Sequence, residues 1–213
     1  MDLANLKKEI TDLVVKEMEE MGLLSLSVPV SVSARHLHVS QEHLEILFGK
    51  GYELTIQKQI SQPGQFAANE KVDLITKKGT IKGIRILGPV RSKTQIELPK
   101  SDIRRLGLTG DVRNSGDITG SEGIMIVGPN GQVELMEGVI IADRHIHMTP
   151  ADALRYGVHA GQLVSVKVPG VKGGLMNHVT IRISDKYALD FHIDTDDANA
   201  FLIENGQWLE IIK

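Results

Sequence analysis

The chain has no cysteine. Disulfides, a thiolate zinc site and a cysteine nucleophile are therefore excluded. Aromatics make up only 4% of its 213 residues, so the core must be built mostly of Val, Ile and Leu. Charge of one sign is also lacking. A net charge of -3 gives no electrostatic case for nucleic acid. No apolar run approaches the ~20 residues of a membrane span. No G-x-x-x-x-G-K phosphate loop and no G-x-S-x-G nucleophile turn occurs. The N-terminus is acidic and mixed rather than basic then apolar, which predicts no secretory signal and a cytoplasmic location. Any metal site must use His, carboxylate and water, a donor set that favours zinc or a similar borderline ion.

Against these absences stands one duplicated motif. Arg35-His36-Leu37-His38 ends the alternating run Val28-Pro29-Val30-Ser31-Val32-Ser33, and Arg144-His145-Ile146-His147 ends Gly138-Val139-Ile140-Ile141-Ala142-Asp143. Each is followed by an apolar residue and then Ser40 or Thr149. Residues two apart on a strand share a face. Each His-x-His thus aims two imidazoles at one point, with Cα atoms about 7 Å apart at ~3.3 Å of rise per residue. A divalent metal accepts that spacing from two nitrogens. A lone His-x-His also reads as two half-exposed histidines. Repetition of the flanking Arg with the histidines favours metal.

Residues 2–21 read as an amphipathic helix, with Leu3, Leu6, Ile10, Leu13, Val14, Met18 and Met21 on one stripe and Gly22 as its stop. Two roles stand level: packing on its own domain or a partner subunit, or docking as a detachable element. Beyond it come short β-like runs punctuated by glycine: Tyr52–Lys58, Lys71–Thr76, Thr80–Leu87, Thr94–Leu98, Gly123–Val127, Gln132–Met136, Leu163–Val168, Val179–Ile183, Ala188–Ile193 and Trp208–Ile212. Short helices are expected after Ser40, over Lys100–Leu106, from Thr149 to Tyr156 and over Asp196–Ile203. Thr149-Pro150-Ala151-Asp152 is a capping box with proline at the first helical position. Strands this short, relieved by short helices, predict small β-barrels rather than a βαβ sheet.

Two metals with an open position each need about six protein ligands. Glu97 and His192 are candidates beside the four paired histidines. Taken alone, Glu97 reads first as a solvated strand-end carboxylate and His192 as a core-edge histidine. Arg91 follows Gly88-Pro89-Val90, so a turn presents it near Glu97. Its planar guanidinium suits phosphate oxygens; a surface salt bridge is the plainer alternative.

Taken together, Arg35-His36-Leu37-His38, Gly88-Pro89-Val90-Arg91 with Thr94-Gln95-Ile96-Glu97, Ala142-Asp143-Arg144-His145-Ile146-His147 and Asp190-Phe191-His192 resemble the PduL-type phosphate acyltransferases over about residues 28–213. That resemblance implies a mainly β fold of two small β-barrel domains capped by short helices, with an N-terminal amphipathic helix. It implies residues 1–22 as the helix, 35–142 as one barrel domain, and a discontinuous domain from 23–34 plus 143–213. The active site would lie between the barrels. It implies reversible transfer of an acetyl or propanoyl group between coenzyme A and inorganic phosphate. One Zn2+ would be held by His36, His38 and Glu97, the other by His145, His147 and His192. Arg91 would bind phosphate, and Ser33, Arg85 and Asn199 would line the coenzyme A site. A homodimer or higher oligomer is expected, with no nucleic acid or membrane partner. Some members of the family are carried into bacterial microcompartments by an N-terminal helix, so a shell protein is a candidate partner for residues 1–21, and others work free in the cytoplasm.

Two other classes fit the His-x-His pairs: a metal-dependent hydrolase of a thioester or related substrate, and a non-catalytic metal-binding module. The large barrel hydrolases with this motif need ~250 residues of alternating β and α, which this chain lacks. Four closed ligands per site would favour a binding module; three and an open position favour an enzyme.

Overall fold

A computed structural model describes residues 26–213 together with Leu6, Ile10, Leu13, Val14, Glu17, Met18 and Met21. Of the helix expected over 2–21, Leu6, Ile10, Leu13, Val14, Glu17 and Met18 are helical, and the first four are exposed. The rest of that expectation lies outside the described residues.

Among the described residues, fourteen strands form two sheets that each close on themselves. The first barrel contains β2 (His36–His38), β4 (Phe66–Ile75), β5 (Thr80–Gly88), β6 (Gln95–Glu97), β8 (Glu122–Val127) and β9 (Gln132–Ala142). They run in the order β4-β5-β2-β6-β9-β8, and β8 pairs back onto β4. β3 (Ile56–Gln59) is added to β4, and β7 (Val112–Arg113) to β9. The second barrel contains β1 (Ser27–Ser33), β10 (His145–Met148), β11 (Leu163–Val168), β12 (Gly174–Ile183), β13 (Asp190–Asp194) and β14 (Trp208–Ile212), closed in the order β1-β13-β10-β12-β11-β14.

The barrels repeat one pairing plan. β2 is parallel to β5 and antiparallel to β6; β10 is parallel to β12 and antiparallel to β13. The strand leading into each His-x-His belongs to the other barrel. β1 hydrogen-bonds with β13 and β14, while β9 stays with β6 and β8. The chain thus crosses between barrels immediately before each motif, which brings the two motifs to the seam.

Strand period decides which side chains meet there. Leu37 and Ile146, the middle residues of the motifs, are fully buried in their own barrel cores. Each such burial contributes roughly 1.5–3 kcal/mol. With the middle residue fixed inward, the flanking histidines must point outward. Outward here means toward the other barrel, so His36, His38, His145 and His147 are buried although they lie outside both apolar cores.

Helices follow the site strands. Ser40 caps Gln41–Phe48, its hydroxyl accepting from His43 N at 3.2 Å. Thr149 and Asp152 form the full capping box on Pro150–Tyr156. Lys100–Leu106 follows β6, and Asp194 caps Thr195–Phe201 after β13. No described helix is long and apolar enough to cross a membrane.

Several expected boundaries shift. β4 begins at Phe66, earlier than the apolar run at Lys71 suggests, because Phe66 and Ala67 pair with Gly88 and Leu87. β9 runs unbroken through Gly138, whose φ of 144° continues a strand that local pattern divides in two. β12 begins at Gly174 and passes His178 at φ 58°, beside the irregular register at Val164/Val166. Pairing partners remote in sequence set these limits.

Candidate active site

Backbone register places the candidate ligands opposite one another. His36 lies directly across from Glu97, and His145 across from His192. Glu97 Oε2 is 3.5 Å from His36 Nε2, and Oε1 is 4.0 Å from His38 Nε2. In the second set the ring centroids of His145 and His147 are 4.6 Å apart, those of His145 and His192 5.1 Å, and those of His147 and His192 4.7 Å. In each set the donor atoms all lie within 4.8 Å of one another. Both sets, with Arg91, line one cavity of about 310 Å³ between the barrels.

The surroundings orient the rings. His36 Nδ1 is 2.8 Å from Ala34 O, His38 Nδ1 is 3.1 Å from Leu87 O, and His145 Nδ1 is 2.7 Å from Asp143 O. These contacts leave Nε2 of the three rings as the free donor, the usual arrangement around a metal. His192 Nε2 lies 3.3 Å from Asp190 Oδ2. Asp190 is itself buried and accepts from Ser31 Oγ at 2.8 Å, with Ser61 Oγ as a second partner. His147 stacks on Tyr187 with centroids 3.9 Å apart.

Burial, joined by nearby His36 and Arg91, pushes His38 down to about 3. Burial and His192 push His145 down to about 4, and burial with His192 and His145 takes His147 to about 2. His192 is lowered by burial against the upward pull of Asp190 and Glu97. Burial would raise Glu97, but His36, His38, the Ser115 hydroxyl and Arg91 outweigh it and hold the carboxyl at about 2. At neutral pH His38, His145, His147 and His192 therefore stand as neutral imidazoles and Glu97 as a carboxylate, the protonation states a metal needs. His147 Nδ1 and His192 Nε2 are buried without a hydrogen-bond partner. Both belong to the His145-His147-His192 cluster, where orphaned nitrogens among three donors fit a metal ion; the donor chemistry of His36, His38 and Glu97 fits a second.

Arg91 Nη1 lies 3.5 Å from Ser115 Oγ, and burial lowers its guanidinium from its ordinary value. Ser33 lines the cavity, its Oγ 3.3 Å from His36 Nδ1. Arg85 pairs with His36 across the backbone and bonds Ala68 O, and Asn199 is exposed on its helix; neither lines the cavity.

Several site residues carry little sequence signal. Ser115 Oγ donates to Glu97 Oε1 at 2.8 Å. Gln62, in the β3–β4 loop, clamps the Ala188 backbone with Nε2 to O at 3.1 Å and Oε1 to N at 3.2 Å. Arg182 and Tyr187 line the cavity. Only Asp190 is signalled by spacing, since it stands two residues from His192 and shares its face.

Fold and site together define a double-barrel protein with paired three-donor clusters of the metal-binding kind on one shared cavity. The profile of the phosphate propanoyltransferase family matches residues 29–204. Named relatives agree over nearly the whole chain. A phosphate propanoyltransferase of Thermotoga maritima is 47% identical over 208 residues, covering 96% of this chain and 99% of its own. One of Lachnoclostridium phytofermentans is 48% identical, covering 95% and 96%, and one of Priestia megaterium is 51% identical, covering 91% and 89%. The chain belongs to the phosphate propanoyltransferase family and is an enzyme, an acyltransferase.

Proposed function

We propose that the enzyme transfers a short acyl group reversibly between coenzyme A and inorganic phosphate, with divalent ions, zinc by preference, in both clusters. The observation carrying this reading is the pairing of His36-His38-Glu97 with His145-His147-His192 across one cavity, with Arg91 beside them. In the forward direction a phosphate oxygen forms a bond to the thioester carbonyl carbon. The carbon–sulfur bond then breaks, and coenzyme A leaves as a thiolate. Metal held by His36, His38 and Glu97 and by His145, His147 and His192 would supply Lewis acidity for the thioester chemistry. Arg91 holds the phosphate for attack on the face of the thioester carbonyl, a positioning contribution. Tyr187 against His147, and the Gln62 loop over the seam, narrow access for water. No covalent protein nucleophile is required.

Coenzyme A is much larger than the cavity, so its thioester end enters while the rest lies along the surface. Ser33 at the cavity is the first position proposed for it, with Arg85 and Asn199 further out. The unit boundaries proposed are 1–22, 23–34 plus 143–213, and 35–142. Residues 1–21 are assigned to association, with another copy of the enzyme or with a microcompartment shell protein; the cytoplasm and the microcompartment lumen are the two locations consistent with this.

A thiol-release assay on metal-loaded protein tests the reading. Thiol release from acetyl-CoA or propanoyl-CoA should depend on added phosphate and yield acyl phosphate. Release without phosphate would mark a hydrolase instead, and no release a metal-binding module.

A further inference from the structure

Two guanidinium groups reach the cavity from opposite barrels. Arg91 follows β5 of the first barrel, held where its backbone N donates to Val39 O at 2.9 Å. Arg182 lies on β12 of the second barrel, across from His147 in the strand register. Both side chains end at the same residue. Arg91 Nη1 is 3.5 Å from Ser115 Oγ, and Arg182 Nη2 donates to Ser115 O at 3.2 Å. Two fixed positive charges are thus close neighbours. Among the described residues neither is ion-paired to a carboxylate. Glu97, Asp143 and Asp194 also line the cavity, but none is within ion-pair distance of either guanidinium, and Glu97 is already engaged by Gln95, Ser115 and the two histidines.

Like charges placed together repel, and the repulsion grows in a partly buried site; the Glu97 carboxylate draws on Arg91 but sits in no ion pair with either guanidinium. A doubly charged oxyanion between them reverses the sign of that energy. Each guanidinium offers a planar fork of donors to its oxygens. We propose that Arg182 is a second arm of the phosphate site, so that phosphate and acyl phosphate are held by one guanidinium from each barrel. The proposal rests on the acyltransferase reading above. It makes the anion site complete only when both barrels are docked, and it fixes the anion from two directions while the thioester carbon approaches.

The test uses full-length, metal-loaded protein and the variants Arg182→Ala and Arg182→Lys. Three quantities are measured: the KM for each substrate with kcat, inorganic phosphate binding by calorimetry, and metal content. Arg182→Ala should raise the KM for phosphate and for acyl phosphate by about tenfold or more, as expected for loss of a charge-assisted contact. The KM for acyl-CoA should stay within about twofold and metal content should stay at the wild-type value. Arg182→Lys should recover part of the loss, since charge is restored without the fork. Unchanged phosphate KM in Arg182→Ala overturns the proposal. So does a fall in kcat with lost metal and unaltered phosphate affinity, which would make Arg182 only a brace for Ser115. If wild type shows no acyl transfer, the calorimetric comparison still decides: weaker phosphate binding in Arg182→Ala upholds the anion site, and equal binding removes it.

Discussion

Arg35 Nε lies 3.0 Å from Asp102 Oδ2, and the pair has a twin in Arg144 Nη1 and Asp197 Oδ1 at 3.1 Å. These are the arginines repeated beside each His-x-His. They lie outside the cavity that the candidate metal ligands line, and each holds the first turn of the helix following the third candidate ligand, Glu97 or His192. The two helices also meet, since Ser101 N and Oγ donate to Asp196 at 2.7 and 2.8 Å. The motif therefore encodes its own bracing as well as its donors.

That relationship predicts a stability effect. Burial pushes the Asp102 carboxyl up while Arg35 draws it down. Arg35→Ala leaves a buried carboxylate without its cation and should cost about 1–2 kcal/mol, discounted for the half-exposed guanidinium. Arg144→Ala should cost about 1 kcal/mol. Urea midpoints read both, and midpoints equal to wild type would refute the bracing role.

Metal content should be two divalent ions per chain in protein purified without chelator. Glu97→Ala and His145→Ala should each retain about one, because the clusters sit on different barrels. Elemental analysis decides. A His145→Ala protein that binds as much metal as wild type would sink the two-site reading.

Asp190 should support the second metal site by its charge beside His192 Nε2. Its carboxylate lies 3.3 Å from Nε2 and is fixed by Ser31 and Ser61. Asp190→Asn keeps the volume but removes the charge, and should weaken one of two metal equivalents about 10–100-fold. Chelator competition measures this. Equal affinity in variant and parent would show that Asp190 merely fills the seam.

Arg91→Ala should damage use of phosphate far more than affinity for coenzyme A, by about tenfold or more in phosphate KM or in turnover. Steady-state kinetics with each substrate varied in turn provide the check. Kinetics indifferent to the change would take Arg91 out of the site.

Removal of residues 1–21 should leave specific activity within a few fold, since none of the candidate ligands lies there. A helix of that length is marginal alone in water, so its exposed Leu6, Ile10, Leu13 and Val14 need a partner. Size-exclusion chromatography should show a changed oligomeric state, or shell-protein binding should be lost. Unfolding or metal loss on truncation would instead make the helix part of the core.

The sequence by itself determined what depends on near neighbours. Period two on a strand gave His36 with His38 and His145 with His147 a common face, and buried Leu37 and Ile146 behind them. Ser40 and the Thr149–Asp152 box act within a few residues, so local chemistry was enough to read them. Motif resemblance added Glu97, His192 and Arg91, which spacing alone left open. Tertiary structure decided everything that depends on partners remote in the chain. It extended β4 to Phe66 through pairing with β5, and carried β9 unbroken through Gly138. It set Arg182 beside Arg91, and brought Gln62 to Ala188, 126 residues away. Hydrogen bonds between remote strands satisfy backbone groups whose partners no local pattern specifies, and the crossing of β1 and β9 between barrels turns two separate strand ends into one site.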